Sequence, residues 1–221
     1  MKYGNVRVKI CGIKTLADLD MAVECGADAV GFITDVPVDT PRKISTDTAR
    51  SLVKKVPIFI NSVLVIMPES ASEAIAMVED VCPHTVQIHS DLSLQELQQL
   101  RDRIDISIIK TIGVSDFNGT ISRVNEVASA VDAILLDTIE YKPGGTGVVH
   151  NWEVSAKIVD DCPLPVVLAG GLTSENVSRA ISIVKPYAVD VASGVEVNGK
   201  KVGRKVRAFI SEVVHAQSQS R

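Results

Sequence analysis

The sequence predicts a single closed (β/α)8 barrel, and three observations predict it. Eight short β-rich runs recur along the chain, their starts roughly 22 to 32 residues apart. Each gap holds one segment of helical period, so a strand–helix unit repeats eight times. Aliphatic and β-branched residues abound while aromatics are only 4%, as suits a parallel sheet buried on both faces. No linker divides the 221 residues, so residues 1–221 read as one barrel domain. An open doubly wound sheet is the alternative, because periodicity shows the repeat and not the closure.

The eight runs are Val6–Cys11, Ala29–Ile33, Ile58–Ile66, Thr85–His89, Ser107–Gly113, Ala133–Asp137, Pro165–Ala169 and Ala188–Ala192. The first helix has an N-cap in Thr15, Asp18 three residues on, an apolar set Leu16, Leu19, Ala22 and Val23, and a stop at Gly26. Ser45 or Thr46 caps the second helix, and Ser70 or Ser72 the third. Leu94, Leu97, Leu100 and Ile104 lie at helical spacing in the fourth. Trp152 starts a later helix. "TSENVSRAISIV" begins on a Thr-Ser cap with Glu175 in its first turn. The polar tail is expected to fray from about residue 215.

Charge and composition exclude several functions. The formal net charge is −4, which gives no general attraction to nucleic acid or to an anionic membrane. Lys200, Lys201, Arg204, Lys205 and Arg207 form a short basic cluster, expected to be the solvated face of the last helix. No apolar run approaches the length of a membrane span, and the N-terminus lacks a signal-like apolar region. A cytoplasmic protein is expected. Its four cysteines, Cys11, Cys25, Cys82 and Cys162, have no metal-ligand spacing, so free thiols and no metal are expected. No distinctive apolar stripe chooses between a monomer and a homodimer.

In such a barrel the chemistry sits at the C-terminal ends of the strands. Strand one ends in Cys11, and strand six in Asp137, a carboxylate costly to bury without a role or a partner. The two can face each other across the mouth as base and acid. A base requires the thiolate, and an acid requires a protonated carboxyl. Taken alone, Cys11 reads more readily as a small buried residue. Gly170 and Gly171 follow strand seven, and Ser193 and Gly194 follow strand eight. Small residues in those two loops let backbone N–H groups approach an anion, which predicts a phosphate site. Arg42 lies beyond strand two, with a planar fork suited to a carboxylate. His89 reads equally as a rim contact or a core histidine. "KPGGTG", with Gly144, Gly145 and Gly147, reads equally as a closing loop or an ordinary surface loop. Lys9 shares the strand parity of Cys11 and points inward, with Asp190 as a structural partner. His84 and His150 fall in loops and suggest no role.

Together these segments resemble one family, the phosphoribosylanthranilate isomerases of tryptophan biosynthesis. The segments are "KICGIK", "TPRKIS", "VQIH", "LLDT" followed by "GGTG" and a Trp, "LAGGL", "NV" and "DVASGVE", in the family's order over almost the whole chain. The resemblance implies a small phosphosugar substrate, N-(5′-phosphoribosyl)anthranilate, and its Amadori rearrangement to 1-(2-carboxyphenylamino)-1-deoxyribulose 5-phosphate. It implies Asp137 as general acid and Cys11 as general base. It implies Arg42 on the anthranilate carboxylate, Gly171, Ser193 and Gly194 on the phosphate, and no cofactor. His89 and Gly145 join the substrate-binding set. The chain departs from the family at Ser90, usually Gly, at Ala192, commonly Ser, and at Lys201, usually Asp. It also lacks the aromatic common after strand two. Two alternatives accompany this reading. One is the related sugar isomerase of histidine biosynthesis, which pairs two Asp residues and binds two phosphates. The other is a non-catalytic phosphosugar-binding barrel, which would need neither Cys11 nor Asp137.

Overall fold

A computed structural model describes residues 5–138 and 150–218 of the chain. Its parallel strands β1 (Arg7–Cys11), β2 (Ala29–Thr34), β3 (Asn61–Ile66), β4 (Thr85–Ile88), β5 (Ser107–Val114), β6 (Ala133–Thr138), β7 (Val166–Leu168) and β8 (Ala188–Val191) pair in chain order. β8 then pairs with β1, with Lys9 opposite Asp190, and β1 pairs with β2, with Cys11 opposite Gly31. The sheet is therefore closed, as expected, and the open alternative falls. Around it lie helices α1 (Leu16–Glu24), α2 (Thr46–Val53), α3 (Ala71–Val81), α4 (Leu94–Arg103), α5 (Phe117–Val127), α6 (Trp152–Asp161), α7 (Val177–Val184) and α8 (Gly203–Ser218). A two-residue strand, Lys43–Ile44, extends beside β2, and Glu196–Val197 pairs with Lys200–Lys201 in a hairpin after β8.

Strand alternation sorts the side chains into two cores. Val8, Ile10, Val30, Leu64, Val86 and Ile134 point outward and join the helices in one continuous apolar layer. Cys11, Val63 and Val65 pack inside the barrel on one side, and Leu135, Val167 and Ala169 on another. The inner filling mixes these aliphatic groups with buried polar side chains such as Lys9, Thr85 and Gln87.

The helix starts follow local chemistry. Thr15 and Asp18 form a reciprocal capping box, and Ser93 and Glu96 another. Ser45 and Ser70 are the caps chosen for α2 and α3. Four expectations need correction. The third strand begins at Asn61 and not at Ile58, because Pro57 opens a turn closed by Ile60 N–H on the Pro57 carbonyl. Ile58 and Phe59 consequently stand 80% and 96% exposed. α7 begins at Val177, after a turn in which Asn176 Oδ1 accepts from Thr173 N–H, so Thr173 and Ser174 do not cap the helix. The C-terminal segment stays helical to Ser218, held by Gln217 Nε2 donating to the Val6 carbonyl. Lys201 lies before α8 in the hairpin, its side chain only 1% exposed, so it is no part of a solvated helix face.

Candidate active site

A cavity of about 480 Å³ opens at the C-terminal ends of the strands. Cys11, Arg42, His89, Asp137, Gly170, Gly171 and Ser193, all named from the sequence, line it together. Gly194 stands behind the lining. A methyl group there would come within 1.9 Å of the Leu172 carbonyl oxygen, so glycine lets the loops after β7 and β8 pack backbone to backbone. Gly145 lies outside the described residues. The loop after β8 forms only a single 3-10 turn, Ser193–Val195.

The surroundings of Asp137 are built by close packing. Asp137 is the penultimate residue of β6, and its Oδ1 accepts from the Thr138 backbone N–H at 2.8 Å. Gly170 has φ +81°, and any Cβ there would sit 2.9 Å from that same Oδ1. Glycine is therefore required both for the turn and for Asp137's approach. Thr138 Oγ1 meets His150 Nδ1 at 3.3 Å, and His150 Nε2 meets Ser155 Oγ at 2.7 Å. Burial lowers the His150 pKa to about 4, so the ring is neutral and braces β6 against α6. Its position in a loop gave no sign of this.

Two lysines act on Cys11. Cys11 is 5% exposed, and burial raises its thiol pKa; Lys9 and Lys201 pull it down, while Asp190 adds to the rise. Lys9 Nζ pairs with Asp190 Oδ2 at 3.0 Å inside the barrel, as the strand parity suggested. Burial opposes the Lys9 charge, but Asp190 and Cys11 outweigh it and raise the pKa. Asp190 Oδ1 and Gln87 Oε1 are buried acceptors without a hydrogen-bond partner, and both residues line the cavity. Neither oxygen faces a donor among the described residues. His89 opens into the mouth; partial desolvation by the rim, then Lys110 and Lys9, lower its pKa and favour the neutral ring.

Arg42 reaches the mouth with its fork already engaged. Nε donates to both carboxylate oxygens of Glu196 at 3.1 Å, and Nη2 to Oε2 at 2.8 Å. Lys201 Nζ donates to Glu196 Oε1 at 2.6 Å and to the Ala192 carbonyl at 3.1 Å. Nη1 takes no part in these bonds. Gly12, at φ +80°, leaves room for this arm, since a Cβ there would lie 2.9 Å from Arg42 Cδ. Lys14 Nζ donates to the carbonyls of Pro41 and Gly199, tying the Arg42 loop to the hairpin. Glu196 and Lys201 were missed from sequence because the pair with Arg42 spans 154 positions.

A family model described as N-(5′-phosphoribosyl)anthranilate (PRA) isomerase matches residues 8–212. The chain belongs to this family. Relatives of that name from Methanosarcina mazei and Methanosarcina acetivorans are 51% and 50% identical, each over 95% of this chain and over 95% and 93% of their own. The crystal structure of phosphoribosyl anthranilate isomerase from Thermotoga maritima is 36% identical over 95% of this chain and 99% of its own, with a TM-score of 0.84. A solved family structure holding reduced 1-(o-carboxyphenylamino)-1-deoxyribulose 5-phosphate is 35% identical, with a TM-score of 0.81 over 95% of this chain and 99% of its own. Membership over this span covers every strand that contributes to the mouth.

Proposed function

We infer that the chain isomerises N-(5′-phosphoribosyl)anthranilate to 1-(2-carboxyphenylamino)-1-deoxyribulose 5-phosphate in tryptophan biosynthesis. The observation that carries this reading is a cavity uniting Cys11, Asp137 and Arg42 within a chain of this family. Asp137 protonates the ribose ring oxygen, the bond from C1′ to that oxygen breaks, and a Schiff base forms at C1′. Cys11, as thiolate, removes the C2′ proton, and the electron pair moves to give an enolamine that tautomerises to the ketone. The anthranilate carboxylate meets Arg42 Nη1, and its ring lies against the aliphatic wall of Ile33, Val36, Val38, Val65 and Met67. The phosphate meets the loops bearing Gly170, Gly171 and Ser193. Gln87 and Asp190 line the part of the cavity where the sugar lies. The histidine-pathway alternative needs two Asp residues, whereas the first-strand position here is Cys11.

A fluorescence assay following consumption of phosphoribosylanthranilate tests the reaction. Cys11→Ser and Asp137→Asn are each expected to lower kcat roughly 10²-fold or more with the fold intact. Wild-type activity in either variant removes that residue from its role.

We also propose a homodimer and a cytoplasmic location. No described helix is long and apolar enough to cross a membrane, and all four cysteines are free thiols. Exposed Ile58 and Phe59, adjacent in one turn, supply an apolar contact. Light scattering is expected to give twice the chain mass, and Phe59→Glu to give the monomer; a monomeric parent protein refutes the dimer.

A further inference from the structure

Lys9 and Asp190 form a charged pair in the interior of the barrel, directly below the reactive mouth. A buried pair of this kind is weak evidence for stability, because desolvation offsets the attraction. It stands beside the group that must lose a proton. Lys9 and Cys11 alternate on β1 and project to the same side. Both crowd the same point on β2: a methyl group at Gly31 would sit 2.8 Å from Cys11 Sγ and 3.1 Å from Lys9 Cε. Only Gly at position 31 leaves the thiol and the lysine arm together. Asp190 holds Lys9 through Oδ2 alone, so one oxygen of the carboxylate is not spent on the pair. Lys9 does not line the cavity, whereas Cys11 and Asp190 do.

We propose that Lys9 is a positioning residue whose ammonium serves as counter-ion to the Cys11 thiolate, and that Asp190 opposes it by holding that charge and repelling the thiolate. The role rests on Cys11 acting as base in the reaction above. The charged groups around the sulfur are Lys9 on β1, Asp190 on β8 and Lys201 on the hairpin, with Asp137 on the same cavity from β6. Both lysines have a carboxylate partner, Lys201 in Glu196 and Lys9 in Asp190, but Lys9 lies two residues from Cys11 on β1 and its arm meets the same point on Gly31 as the thiol. Burial opposes ionisation of the thiol, and Lys9 offsets part of that opposition.

The test uses opposite signs. In the substrate-free protein, alkylation of the Cys11 peptide by iodoacetamide is followed by mass spectrometry across pH, which separates it from exposed Cys82. Lys9→Met is expected to move the Cys11 titration up by at least one pH unit, and Asp190→Asn to move it down. The double variant, an uncharged pair, should fall between them and serves if either single variant fails to fold. Under turnover, Lys9→Met should lower kcat about tenfold at neutral pH, the loss of thiolate that one unit implies, while KM holds. A purely structural pair would move both variants' titrations together or neither. No change in Lys9→Met, or a shared direction in the two variants, overturns the proposal. Alkylation shifts as expected with no turnover of phosphoribosylanthranilate would instead overturn the reaction and leave the charge device standing.

Discussion

Glu196→Gln tests how Arg42 is held at the mouth. The substitution keeps the shape of the side chain and removes its charge. Glu196 is 5% exposed between Arg42, 13% exposed, and Lys201, 1% exposed. Removing one member of a buried ion network leaves the others uncompensated, at about 3 to 5 kcal/mol. Arg42 keeps some access to the open mouth, so the lower end, about 3 kcal/mol, is expected. For a chain of this size that is about 6 to 12 °C in Tm. Burial would raise the Glu196 pKa, but hydrogen bonds from Arg42 and Lys201 outweigh it and lower the value below 4.5. A depressed carboxylate stabilises above its unfolded pKa and loses that stability as pH falls through the folded one. The gap between parent and variant should therefore be complete at pH 7 and close below pH 4.5. The ligand response reverses the order. In the variant the Arg42 fork lacks an anion, and a product analogue bearing a carboxylate supplies one, so the analogue should raise Tm more in the variant than in the parent. Thermal melts with and without the analogue decide it. Equal Tm values at pH 7, or a smaller ligand shift in the variant, would refute the reasoning.

Two further substitutions probe the same frame. Gly12→Ala forces a left-handed backbone on alanine, about 1 to 2 kcal/mol, and displaces Arg42 Cδ from 2.9 Å. Raised KM with a lower Tm is expected, and an unchanged KM would free Arg42 from its dependence on Gly12. Lys110, 4% exposed, points outward from β5, and burial lowers its pKa from 10.5 to about 8. The unfolded chain holds more protons than the folded one between those values, so stability rises with pH through the window and the cost is complete below pH 8. The shift corresponds to roughly 3 kcal/mol at most. Lys110→Met should be more stable at pH 7 by about 1 to 3 kcal/mol and lose that pH dependence; denaturant melts at pH 7 to 10 showing equal curves would contradict it.

The repeat, the closure and most helix starts were legible because their signals are local. Thr15 and Asp18 sit three residues apart and cap each other. That Cys11, Asp137, Gly170, Gly171 and Ser193 would share one cavity was legible because strand ends map onto one face of a closed barrel. What failed was tertiary. Ile58 and Phe59 carry β-propensity, yet Pro57 turns the chain outward before β3 starts. Lys201 resembles its exposed basic neighbours in sequence, and only the fold brings Glu196 to it and Arg42 across the mouth. His150 looked unremarkable because its partners, Thr138 and Ser155, belong to different elements.

These long-range pairs bear on the proposed reaction, in which Cys11 as base and Asp137 as acid need opposite electrostatics. A base must give up its proton before reaction, and an acid must keep one. Cations favour the first and oppose the second. The cations Lys9 and Lys201 act on Cys11, while the group that braces the strand end of Asp137 is a histidine held neutral with a pKa of about 4. A lysine or arginine bracing Thr138 would supply similar hydrogen bonds and would also add a positive charge beside the proposed acid, which disfavours a protonated carboxyl. The neutral imidazole fixes the backbone without that penalty. Packing and chemistry thus place the same demand on position 150: a ring that bonds from both nitrogens and carries no charge at neutral pH.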